Sequence, residues 1–149
     1  MAIISLKTVQ LNATVSTKEE AIQLAGNLLV QAGHVAPAYV DGMLAREQSM
    51  STYIGNGVSI PHGQFEDREI IFSTGISVVQ IPGGIRWDDD SDEVAHLVIG
   101  IAATSNEHVG VLSNLAEVLE DEISAAELIH TTDPTVIIER LSRPQEELA

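Results

Sequence analysis

Val94-Ala95-His96-Leu97-Val98-Ile99-Gly100-Ile101-Ala102-Ala103 is the stretch whose reading decides the fold. A strand with one wet face alternates apolar and polar residues, whereas this run is apolar almost throughout, as a strand covered on both faces must be. It is therefore read as the central strand of a sheet with a layer of other elements on each side. Upstream, Ile70 to Ile81 reads as a second strand, with Ile76, Val78 and Val79 favouring β structure. Pro82 to Glu93 reads as the loop between the two. It carries Asp88, Asp89, Asp90, Asp92 and Glu93 but lacks the Gly and closing Glu of a calcium loop, so it reads as a solvated turn.

Further out the period changes. Thr52 to Ile60 reads as one or two short strands around a turn at Gly55-Asn56-Gly57, and Ile4 to Leu11 as another short strand. Thr17 with Glu20 forms a capping-box pattern ahead of Ala21, Leu24, Ala25, Leu28 and Leu29, a helix that Gly33 ends. Pro37 opens a second helix with the stripe Val40, Met43, Leu44 and with Arg46 near its end. From Asn106 the sequence is helical again through Val109, Leu112, Leu115, Ala116 and Leu119. A short helix follows over about Ile123 to Ile129, and Asp133-Pro134 caps a last one through Val136, Ile137 and Leu141. The expected fold is α/β, a mixed β-sheet flanked by helices in three α/β/α layers. It is read as a single domain over 1–149 with its ordered core at about 5–142 and a short polar tail at 143–149.

Composition narrows the function. The 149 residues include 22 acidic and 7 basic ones, a formal charge of −15, which argues against nucleic acid or anionic lipid as a partner because phosphate is neutralised by Lys and Arg. With no Cys, disulfides, thiolate metal sites and thiol catalysis are excluded. No apolar run reaches the length of a membrane span, and MAIISLKTVQ lacks the basic and apolar regions of a secretory signal. The expectation is a cytoplasmic protein without membrane insertion.

Three places invite chemistry. In Gly57-Val58-Ser59-Ile60-Pro61-His62-Gly63, Pro61 holds Ile60 extended and ends the strand, leaving His62 at its carboxyl end, where α/β proteins place ligands. Gly63 permits close approach. Asn106-Glu107-His108 sits at a helix start, where free N–H groups favour an anion. Arg46 offers a guanidinium fork for phosphate or carboxylate. Each has an ordinary reading beside the functional one: a loop His after a turn, a surface helix His, an Arg complementing a helix dipole. His34, His96 and His130 have no evident partners. A zinc site from His62 and His108 lacks tight ligand spacing, Ser59 beside His62 lacks a nucleophile elbow, and Gly55-Asn56-Gly57 is too short for a P-loop.

Five segments in order carry a resemblance. They are Met43-Leu44-Ala45-Arg46-Glu47, Tyr53 through Gly63, Ile81-Pro82-Gly83-Gly84-Ile85-Arg86-Trp87, Leu97-Val98-Ile99-Gly100-Ile101-Ala102 and Asn106-Glu107-His108. Together they resemble the type-2 IIA domain of the sugar phosphotransferase system, in its mannitol branch, over about residues 8–142. The resemblance implies a phosphoryl relay with no cofactor and no metal. His62 would take the phosphoryl group from the carrier HPr on Nε2 and pass it to a Cys of a mannitol-type IIB domain, part of a permease on a separate chain. His108 matches the family's second active-site His and Arg46 its active-site Arg. Asn56, Val58, Ser59 and Gly63 are expected to contact substrate or partner. Some mannitol-branch members carry Glu at Asn56, so no carboxylate role carries over there. A regulatory IIA-like module, or a fructose-type IIA, is the alternative.

Overall fold

The computed structural model describes residues 3–88, 92–103 and 109–142. In chain order these form β1 (Val9–Gln10), α1 (Lys18–Gln31), α2 (Ala38–Ser49), β2 (Tyr53–Gly55), β3 (Val58–Ser59), β4 (Gly75–Arg86), β5 (Val94–Ala102), α3 (Val109–Glu120), α4 (Glu122–His130) and α5 (Pro134–Ser142). Short 3-10 turns cover Leu6–Thr8 and Phe65–Ile70. The sheet order is β1-β4-β5-β3-β2. β4 pairs antiparallel with β5 and β2 with β3, while β1–β4 and β3–β5 are parallel, so the sheet is mixed as expected.

Both faces of the sheet are covered. Ala21, Ile22, Ala25, Leu29, Tyr39 and Met43 of α1 and α2 pack with Val79, Ile81 and Val98 on one side. Leu115, Leu119, Leu128, Ile137 and Leu141 of α3 to α5 pack with Ile76, Val78, Leu97 and Ile99 on the other. Among the described residues no helix is long and apolar enough to cross a membrane. Local signals set the helix ends: Thr17 Oγ1 accepts from Glu20 N–H at 3.1 Å, Gly33 adopts φ 86° just past α1, and Asp133 Oδ1 accepts from Thr135 N–H at 2.9 Å.

The edges of two strands differ from the sequence reading. The first strand shrinks to two residues because Ser5 and Thr8 exchange side-chain bonds that wind Leu6–Thr8 into a 3-10 turn. The second runs over Gly75–Arg86 and absorbs Pro82-Gly83-Gly84, assigned above to the loop. Gln80 faces Leu97 while Ile85 faces Ala95, so β4 carries surplus residues that bulge outward, with Pro82 and Gly83 exposed and Gly84 at φ 72°. A bulge is where a strand tolerates a Pro without a donor. Ile70 and Ile71 stay outside the sheet; Ile70 accepts from Ala36 N–H and Ile71 bridges Val35.

β5 carries its own irregularity. His96 and Leu97 N–H both donate to Gly57 O, at 2.8 and 3.1 Å. Two residues against one is a bulge, and it explains why Ala95 shares a face with Val98 although they are three apart.

Where α1 turns back, His34 is 1% exposed, its ring against Gly75 and its Nδ1 2.9 Å from Ser73 Oγ. Burial holds its pKa below the ordinary 6.5. The unfolded chain therefore binds this proton first as pH falls, and stability is lost as pH drops below about 6.5 toward the folded value. Urea unfolding at pH 7 and pH 5.5 is expected to show a larger loss for the wild type than for His34→Asn. Equal losses would remove His34 as the source.

Candidate functional site

The site is built at the carboxyl end of β5. β3 runs parallel to β5 with Val58 beside Leu97 and Ser59 beside Val98, and the register reappears past Pro61 as a bridge between His62 and Ile101. Ile101 N–H donates to Pro61 O at 3.0 Å. His62 is thus held as an extension of the strand, half-buried, at the sheet end where β5 leaves.

Its ring is oriented by its own backbone. Nδ1 lies 2.9 Å from Ile60 O. A carbonyl only accepts, so Nδ1 carries the proton and the lone pair of the neutral imidazole is on Nε2.

The residue that sequence reasoning missed is Tyr39. It is 2% exposed, and its hydroxyl donates to Ile101 O at 2.8 Å and accepts from Gly63 N–H at 2.9 Å. One hydroxyl therefore joins α2, β5 and the loop that carries His62. Burial pushes its pKa up, keeping the phenol protonated and able to donate. A Cβ at Gly63 would meet the Tyr39 ring at 2.6 Å, so the missing side chain at Gly63 makes room for Tyr39. No local sequence signal marks this pair, whose members lie 24 residues apart.

Helical geometry places Tyr39, Gly42 and Arg46 on one face of α2. Gly42 has no room for a side chain because Asp67 packs against it, and Asp67 Oδ2 in turn accepts from Gln64 N–H at 2.7 Å. The face bearing Arg46 is thus the face that holds the segment after His62. Arg46 Nη1 donates to Met50 O at 2.8 Å, closing the end of its own helix. His108 lies outside the described residues.

With this geometry in view, residues 2–143 match the family model "Phosphoenolpyruvate-dependent sugar phosphotransferase system, EIIA 2". The chain belongs to this EIIA type 2 family. It is 46% identical over 133 residues to the multiphosphoryl transfer protein of Haemophilus influenzae, covering 89% of this chain and 26% of the relative. It is 43% identical over 127 residues to the mannitol-specific EIICBA component of Escherichia coli, covering 85% of this chain and 20% of the relative. The chain thus spans about a quarter or less of those two relatives. A solved complex of enzyme IIAMtl with phosphorylated enzyme IIBMtl from Escherichia coli contains a chain of the same fold, with TM-score 0.83, 40% identity and coverage of 92% and 95%.

The other expected site residues of this EIIA domain lie apart from His62 or beneath the surface. The β5 register puts Gly57 beside His96 and His62 beside Ile101, roughly 16 Å apart along the strand. Asn56, at φ 54°, is at the far end, where its Nδ2 donates to Leu119 O at 3.0 Å and Glu120 O at 3.2 Å, capping α3. Val58 and Ser59, expected to contact substrate or partner, are fully buried, and Val58 packs in the core with Leu97 and Ile99. Ser59 Oγ has no hydrogen-bond partner, so it makes no Ser–His pair with His62. Among the described residues no three His, Asp or Glu side chains converge as a metal site.

Tyr39→Phe is expected to leave Gly63 N–H and Ile101 O unpaired and to cost about 1–3 kcal/mol in urea unfolding. Gly63→Ala, which drives a methyl into the Tyr39 ring, is expected to cost at least as much. A Tyr39→Phe variant as stable as wild type would show that the bridge carries no stability.

Proposed function

We propose that this domain is a cytoplasmic IIA phosphocarrier of a mannitol-type phosphotransferase system, with His62 as the phosphorylated nucleophile. The carrying observation is the Nδ1–H bond of His62 to Ile60 O, which leaves the Nε2 lone pair for phosphorus. The Nε2 pair attacks the phosphorus of phospho-HPr. The P–N bond to HPr breaks, and its electron pair returns to the HPr imidazole. The Cys thiolate of a IIB domain then attacks the same phosphorus and the pair returns to Nε2. Phosphoryl transfer needs alignment and positive charge around three equatorial oxygens. Arg46 supplies the charge by exchanging Met50 O for those oxygens, and His108 supplies an N–H donor to them. Family membership, the mannitol-specific relative and the solved IIA–IIB complex support this reading. The formal charge of −15 favours docking of a basic partner surface.

Incubation with phosphoenolpyruvate, enzyme I and HPr, followed by intact mass, is expected to show one acid-labile phosphoryl group on the wild type and none on His62→Ala. Label on another histidine would overturn the assignment. Arg46→Ala and His108→Ala are expected to slow transfer about 10²–10³-fold with little change in HPr affinity, and Arg46→Lys to recover only part, since ammonium forms no bidentate fork. Wild-type rates in these variants would refute the two roles. Offered mannitol-type and fructose-type IIB domains at equal concentration, the phosphorylated protein is expected to discharge faster to the mannitol type; equal or reversed rates would overturn that branch.

A further inference from the structure

We propose that Glu47 is a positioning residue of the phosphoryl site, acting on His62 through Thr52 and Ile60. Glu47 is 5% exposed and lies where α2, β2, the end of β4 and the start of α1 meet. Its Oε1 accepts from Thr52 Oγ1 at 2.6 Å and Thr52 N–H at 3.1 Å. Its Oε2 accepts from Trp87 Nε1–H at 3.0 Å and from Lys18 Nζ at 3.5 Å, and Lys18 also reaches Asp88 at 3.1 Å. Folding alone does not call for such a group, because well-packed apolar residues replace buried ion pairs at little or no cost.

The carboxylate fixes Thr52, and Thr52 leads to the site. Thr52 O accepts from Ile60 N–H at 3.0 Å, and Ile60 O faces His62 Nδ1 at 2.9 Å. Glu47 is therefore connected through two backbone residues to the carbonyl that selects the His62 tautomer. The same carboxylate pins the far end of the turn containing Met50, whose carbonyl holds Arg46. One buried group sets the position of both the nucleophile and the cation. The inference rests on the phosphocarrier reading for its kinetic effect only.

The test compares Glu47→Gln with Trp87→Phe. Glutamine has one acceptor oxygen, so its NH2 must face one of the donors that the carboxylate satisfies. Phenylalanine at 87 takes a donor from the same carboxylate but leaves the Thr52–Ile60–His62 series intact. The readouts are the ring ¹⁵N shifts of His62, which report tautomer, and the rate of phosphoryl acceptance at limiting and saturating phospho-HPr. Glu47→Gln is expected to mix the tautomers and to lower kcat about tenfold or more, with KM within about twofold. Trp87→Phe is expected to lose stability and keep the wild-type tautomer and kcat. A folded Glu47→Gln with wild-type tautomer and kcat overturns the proposal, as does a Trp87→Phe that reproduces the Gln effects. If Glu47→Gln does not fold, Thr52→Val, which removes the Oγ1 donor at equal volume, must shift both readouts in the same direction, and no shift overturns the proposal. The ¹⁵N shifts need no phosphoryl donor, so a wild type that takes up no phosphoryl group would strike the phosphocarrier reading alone.

Discussion

Strand β5 must be enclosed on four sides, and the rest of the fold supplies the walls. Its edges pair with β4 and β3, and its faces meet α1 and α2 on one side and α3 to α5 on the other. A strand without a wet face has no place for a charged side chain and no spare backbone donors. The proposed nucleophile His62 therefore sits where this enclosure ends. Pro61 ends β3, the parallel register persists as the His62–Ile101 bridge, and the imidazole emerges at the rim with its backbone still tied to the core.

The buried polar groups near that rim serve the backbone. The Tyr39 hydroxyl satisfies one donor and one acceptor from different elements, and the Glu47 carboxylate gathers donors from three. Such groups are costly when unpaired and rigid when paired. Rigidity is what the proposed phosphoryl carrier needs. A nucleophile held in one tautomer and one orientation pays its ordering cost during folding, so little remains to be paid at encounter with a partner. Helix α2 links these devices: Tyr39 meets the His62 loop, Gly42 receives Asp67, and Arg46 and Glu47 lie at its last turn.

The two ends of the sheet have separate duties. At the far end, bulges in β4 and β5 and the left-handed turn at Asn56 bring His96 between Gly57 and Gly84 and cap α3. Asn56 keeps its amide on the carbonyls of Leu119 and Glu120, so the family-like word from Tyr53 to Gly63 mixes the proposed nucleophile His62 with residues that build the frame.

Sequence by itself determined whatever depends on neighbours in the chain. The apolar run at 94–103 gave the central strand, Thr17, Gly33 and Asp133 gave helix ends, and Pro61 placed His62 at a strand terminus, because each rests on periodicity, capping or a fixed φ. The tertiary structure alone decided what depends on partners far along the chain. Val58 and Ser59 read as contact residues for a substrate or partner, and the sheet register is what buries them. Gly63 read as a point of close approach, and only the packed layers showed that the Tyr39 ring is what approaches; Pro82-Gly83-Gly84 read as a loop until pairing with β5 drew them into a bulged strand. Tyr39 to Ile101 and Glu47 to Trp87 span 62 and 40 residues. A hydrogen bond of that reach leaves no periodic trace in sequence, since it exists only once the layers have packed.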